Sequence, residues 1–230
     1  MDYQKWTTQA GNFLTAMKSL PGEINVSLEI AAPLTEAELA VIQSKWHRHL
    51  PRELVRFWTE GSAHLNGHYW WQPPDSEEAD LARIFAHNSF IYGGPRFFAA
   101  YEVDPEPADS SWIDDFVIPD APEDEERARD IWGRSIIFLE TMSGDSLALD
   151  AEAPECNPDD PPVVYLDHEQ PGVLDQISPS FTEFLLQWEK LSYIGPDSSL
   201  LNYWLDREAG QLSPDRYQTM ELKRLLSPRP

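Results

Sequence analysis

Residues 135–169 constrain the fold more than any other stretch. They read SIIFLETMSGDSLALD, then an acidic, proline-bearing break, then VVYLDHE. Ile136, Ile137, Phe138 and Leu139 form an apolar run bounded by turn residues, the pattern of a strand. Ser143-Gly144-Asp145 predicts a tight turn, because glycine takes positive φ at no steric cost. Leu147 and Leu149 then alternate with Ser146, Ala148 and Asp150, predicting a half-buried returning strand. Val163, Val164, Tyr165 and Leu166 predict a third strand, closed by Asp167-His168-Glu169. A helix start follows, with Ser180 and Glu183 placed for a capping box. Phe181, Phe184, Leu185 and Trp188 fall on one face of that helix.

Upstream, residues 1–20 read as an amphipathic helix through Trp6, Phe13, Leu14 and Met17, ended by Pro21-Gly22. Ile24, Val26, Leu28 and Ile30 alternate with polar residues, the pattern of a strand with one wet face. Thr35 and Glu38 form a second capping box, with Leu34 and Leu39 as a hydrophobic staple. That helix is expected to bury Leu39, Ile42 and Trp46. Pro51 opens another helix, with Leu54, Phe57 and Trp58 inward and Gly61 as its stop. Asn66-Gly67 predicts a hairpin turn within residues 64–71. Tyr69, Trp70 and Trp71 read as core and rim residues rather than a sugar platform. Residues 75–86 read as a helix, Gly93-Gly94-Pro95 as a turn, and Phe97, Phe98 and Tyr101 as a further strand. Leu200, Leu201, Trp204 and Leu205 predict a helix stopped at Gly210, and Ser213-Pro214 opens a last helix through Leu225.

Charge bears on partners. The 230 residues carry 17 Lys and Arg against 40 Asp and Glu, a formal net charge of -23. Such a field repels nucleic acid and anionic membrane, and it attracts basic proteins. The plainer account is acidic solubility or a saline habitat. No run of about 18 apolar residues exists, so no membrane span is expected. The first residues lack a basic-then-apolar secretory pattern, and Cys156 is the only cysteine. Both features lead us to expect a cytoplasmic protein without an internal disulfide. Cys156 lies among acids, which disfavour a reactive thiolate.

The acids concentrate in residues 104–130, which read as a surface insertion. The candidate protein-binding residues are Trp112, Asp114, Asp115, Phe116, Asp120, Glu123, Asp124, Glu125 and Glu126, with Arg127 and Arg129 as the cations among them. Charge speeds encounter, and aromatic anchors hold a complex. The alternative is a solvated loop that Trp112 and Phe116 pin to the core. No catalytic residues, metal ligands or cofactor are expected. Asp145, Asp167, His168 and Glu169 have the composition of a metal or acid–base site, but turn and strand-end roles account for their spacing. His64 and His68 straddle Gly67, and no glutamate lies between them as a metalloprotease helix needs.

Three pieces in this order resemble the SUKH superfamily, the group named for the yeast Smi/Knr cell-wall regulators and their bacterial relatives. The first is Leu34-Thr35-Glu36-Ala37-Glu38 leading to Leu50-Pro51-Arg52-Glu53-Leu54 and Phe57. The second is Ile136-Ile137-Phe138 leading to Ser143-Gly144-Asp145. The third is Val164-Tyr165-Leu166-Asp167-His168-Glu169 followed by Ser178-Pro179-Ser180-Phe181-Thr182-Glu183-Phe184-Leu185. The resemblance implies an α+β fold, a mostly antiparallel sheet flanked by helices, with Gly144, Asp145, Asp167, His168 and Phe181 as turn, cap and core residues. It places a core over residues 32–191 of a single 1–230 domain, with the 104–130 insertion and a helical extension over 196–226. It implies a non-enzymatic binding protein. Its bacterial members look like immunity proteins that neutralise a cognate toxin, which for so acidic a chain would be basic. The alternatives are a regulatory interaction protein of the Smi/Knr type and a metal- or carboxylate-dependent hydrolase. Oligomeric state is left open.

Overall fold

The computed structural model describes residues 1–85, 89–106, 122–141, 143–168, 176–196 and 198–226, and within helices it leaves aside the side chains at 76, 79, 122–125, 198 and 199. Two antiparallel sheets organise the α+β fold. The first joins β1 (Glu23–Ile30), β2 (Leu65–Gln72) and β3 (Ile91–Gly93) in the order β1-β2-β3. The second joins β4 (Ile136–Glu140), β5 (Ser146–Leu149), β6 (Val163–Leu166) and β7 (Gln176–Ser178) in sequence order. The expected hairpin and third strand therefore share one sheet, with Ile136 opposite Leu149 and Leu149 opposite Val163.

The Asn66-Gly67 hairpin does not form. The dipeptide lies inside β2, which pairs with β1 from Glu23↔Gln72 to Ile30↔Leu65. Gly67 serves close approach instead of a turn. A Cβ there would lie 2.4 Å from Leu14 Cδ1 and 3.2 Å from Leu28 Cδ1. The strand expected at Phe97, Phe98 and Tyr101 reduces to isolated bridges, Asn66↔Arg96 and Phe97↔Leu139. This segment stitches the sheets together: Phe97 N–H donates to Leu65 O at 3.0 Å and Phe98 N–H to Phe138 O at 2.9 Å. Tyr101 is 71% exposed.

The helices are α1 (Tyr3–Met17), α2 (Glu36–Gln43), α3 (Arg52–Arg56) with a π-helical continuation (Phe57–Gly61), α4 (Asp75–Ile84), α5 (Pro122–Arg134), α6 (Phe181–Lys190), α7 (Ser198–Leu201) and α8 (Tyr217–Leu225). The capping box at Thr35 and Glu38 forms in both directions. Ser180 caps α6 by accepting from the Glu183 N–H at 3.1 Å. α2 ends at Gln43, so Trp46 lies beyond it and is only half-buried. Phe57, Phe138, Leu149, Phe184 and Trp188 are buried as expected. Phe138 meets Phe181 edge-on at 5.4 Å between ring centroids, and Phe184 stacks on Trp188 at 5.2 Å.

The returning strand is buried on both faces, against expectation. Leu147 and Leu149 face the main core with Phe138 and Phe184. Ala148 packs with Val164 and Leu166 against Ala128, Ile131 and Trp132 of α5. Ala128, near the end of the acidic stretch, and Ile131 and Trp132 just past it thus cover the outer side of the second sheet. The helix expected from Leu200 to Gly210 stops at Leu201. A small hairpin follows, β8 (Leu205–Asp206) against β9 (Gln211–Leu212), with Gly210 at φ +59 in its turn. Pairing Leu205 with Leu212 buries both, and this tertiary gain overrides local helix propensity.

Candidate functional site

The polar cluster closest to a site lies where the β4–β5 turn meets the end of β6. Gly144 sits at φ +93, and the turn closes through the Thr141 N–H donating to Asp145 O at 2.7 Å. The sharp reversal points the Asp145 carboxylate inward, where the residue is 4% exposed. Asp145 Oδ2 accepts from Tyr165 OH at 2.5 Å and from Ser143 Oγ at 2.7 Å. Asp145 Oδ1 accepts from the His168 backbone N–H at 3.1 Å, and His168 Nδ1 lies 2.8 Å from it. Burial pushes this carboxyl up. The hydrogen bonds from Tyr165, Ser143 and His168 outweigh it and hold the group below its usual range.

Asp145, Asp167 and His168 are therefore brought together, and one ligand atom from each lies within 4.8 Å of the others. Among the described residues, these are the ones that could hold a metal. The geometry favours a structural use of Asp145: its oxygens are already engaged by donors from β6, from the turn and from His168. A cation would have to displace those donors. His64 and His68 have local partners instead. His68 Nδ1 lies 2.6 Å from Ser27 Oγ, and His64 Nδ1 lies 3.9 Å from Glu29. Burial, with the Arg96 charge, lowers the His68 pKa. At Cys156, burial and the Asp150 charge push the thiol up, against thiolate formation.

Of the candidate binding residues, Trp112, Asp114, Asp115, Phe116 and Asp120 lie outside the described residues. Glu123, Asp124, Glu125 and Glu126 belong to the start of α5, and Glu126 is exposed. Acids in a first helical turn also offset the helix dipole, and Pro122 suits the first helical position. What holds α5 was missed in the sequence. Arg134 donates to both Asp150 oxygens, each at 2.8 Å, and the Arg48 guanidinium bonds the Arg134 carbonyl and Glu152. The bond to Asp150, ahead of the opposing effect of burial, raises the Arg134 pKa. The available signal was the spacing of Ala128, Ile131 and Trp132, which share a helical face.

Sheets, flanking helices and this turn hub define an α+β module with mostly antiparallel pairing. A family model described as SMI1 / KNR4 family (SUKH-1) matches residues 33–187, and the chain belongs to that family. Membership supports a protein-interaction or immunity-type module at the level of the family, which is generally non-catalytic. None of the curated proteins searched matches the chain. No helix among the described residues is long and apolar enough to cross a membrane.

Proposed function

We propose that this chain is a non-enzymatic binding protein of the immunity type, which neutralises a cognate basic toxin in the cytoplasm. The observation that carries the reading is the net charge of -23 on a member of this family. A toxin acting on nucleic acid must neutralise phosphates, so it tends to be basic. An acidic partner competes for the same surface and is steered to it. The recognition face in this reading is the acidic segment, with Trp112 and Phe116 as anchors among Asp114, Asp115, Asp120 and Glu123 to Glu126.

The experiment identifies the partner by capture on the immobilised full chain, with a basic protein as the expected product, and measures its association with the chain. Reversing Asp114, Asp115, Glu123 and Glu125 to Lys slows association and flattens its salt dependence. Trp112→Ala speeds dissociation by a factor equivalent to about 2 kcal/mol. An association rate and salt slope that do not change under the fourfold reversal reject the segment as the recognition face.

A further inference from the structure

β2 turns its two faces to different surroundings. Leu65, Gly67, Tyr69 and Trp71 are buried, while Asn66, His68, Trp70 and Gln72 are half-buried on the opposite face. The register puts Tyr92 opposite Trp70 on one side and Asn25 opposite it on the other, with Glu23 opposite Gln72. Opposed residues of an antiparallel pair share a face, and diagonal neighbours remain within reach of long side chains. Trp70 is thus flanked by Tyr92 of β3 and, on β1, by Asn25 and diagonally by Glu23. Phe90 extends the row, its ring centroid 5.7 Å from that of Trp70 and 6.1 Å from that of Tyr92. Phe90 is 37% exposed, and Glu23 and Asn25 are exposed as well.

We propose that Trp70, Tyr92 and Phe90, with Glu23 at their edge, form a docking site for an arginine or lysine side chain presented by a partner protein. The inference rests on the basic-partner reading and gives that partner a contact on the first sheet. An aromatic ring attracts a cation to its electron-rich face, most strongly when the ring is tryptophan. Arginine fits best, because its guanidinium stacks on the ring while its N–H groups reach a carboxylate or side-chain amide such as Glu23, Asn25 or Gln72. Within the described residues, Arg56 lies over the Tyr3 ring at 5.3 Å, the same kind of contact that the Trp70 row would offer a partner's cation. The charge of -23 disfavours a nucleic acid, and it disfavours a second copy bearing the same charge.

The test titrates the ¹⁵N-labelled full chain with acetylated tetra-arginine amide, with the uncharged tetra-citrulline peptide as control. The readout is the indole N–H of Trp70, assigned with Trp70→Phe. The arginine peptide shifts that resonance saturably and the citrulline peptide does not. Phe90→Ala weakens peptide binding about two- to fivefold, the range of an exposed cation–aromatic contact. Glu23→Gln, an exposed change that leaves the fold intact by thermal melting, weakens it about twofold. Shifts confined to residues 104–130 overturn this site and leave the basic-partner reading standing. No saturable shift anywhere overturns both. Trp70 shifts that depend on protein concentration alone make a second copy the occupant and also overturn the proposal.

Discussion

Asp145 shows how one side chain ties neighbouring strands together. It is buried just before β5, and besides Ser143 of its own turn its hydrogen bonds come from Tyr165 of β6 and His168 just beyond that strand. Because its folded pKa lies below its unfolded one, its contribution is fully present above the unfolded value of about 3.9. That contribution is lost as pH falls through the lower folded value. Asp145→Asn removes the charge-assisted bonds and costs about 2–3 kcal/mol at neutral pH. Urea unfolding across the acid range checks this, since the variant should lose less stability than the parent below the ordinary carboxylate range. Parallel pH curves for the two proteins count against the assignment. Gly67 gives a second residue-scale expectation. A Cβ there meets Leu14, itself fully buried, so Gly67→Ala overpacks the contact between α1 and β2. The cost is about 1–3 kcal/mol by denaturant unfolding. A turn glycine with no neighbour in the way would not show it.

At the scale of elements, α5 decides how the second sheet is covered. Its Ala128, Ile131 and Trp132 pack on Ala148, Val164 and Leu166, and Arg134 is paired with Asp150. Trp132→Ala removes the largest of these groups and costs about 3 kcal/mol, with apolar dye binding reporting the uncovered strands. Phe138→Ala, in the layer between sheet and α6, costs about 3–5 kcal/mol. If Trp132→Ala unfolds at the parent's denaturant midpoint, α5 is a loosely docked appendage.

At the scale of the molecule, the core extends well past the family match. The match covers residues 33–187, while one apolar cluster runs from Tyr3 and Trp6 to Leu222, Leu225 and Leu226. Trp6 Nε1 donates to Leu185 O at 3.0 Å, and Tyr3 OH to Glu53 Oε2 at 2.9 Å. Near the other end, Trp204 meets Phe85 at 5.6 Å between centroids and donates to Thr219 Oγ1 at 2.8 Å. Met220 departs from the pattern, being 64% exposed on the outer side of α8. We propose that the whole chain is one cooperative domain. Far-ultraviolet circular dichroism and tryptophan fluorescence should then report one coincident unfolding transition. Deleting residues 198–230 should expose the sites of Leu200, Trp204 and Leu222 and cause aggregation. A truncated chain that remains monomeric and equally stable would refute the single-domain proposal.

Local chemistry determined the parts of this protein that depend on neighbours in the chain. The capping residues Thr35 and Ser180, the turn glycine Gly144, the strand of Ile136 to Leu139 and the apolar face of α6 were all legible, because each is set by spacing within a few residues. The charge and the family resemblance were legible for the same reason, as properties of composition and order. Tertiary structure decided the rest. Asn66-Gly67 carries a hairpin signature, yet β1 claims it, because α1 needs a glycine where it approaches the sheet. The alternation in β5 predicts a wet face, yet a helix some twenty residues upstream covers it. Asp145, Asp167 and His168 converge only because β5 and β6 pair. Trp70 and Trp71 are adjacent in sequence, and only the pleat and the placement of the core leave one half-buried on the outer face and make the other an interior residue. Such outcomes depend on which surfaces meet across long separations, and no local window contains that information.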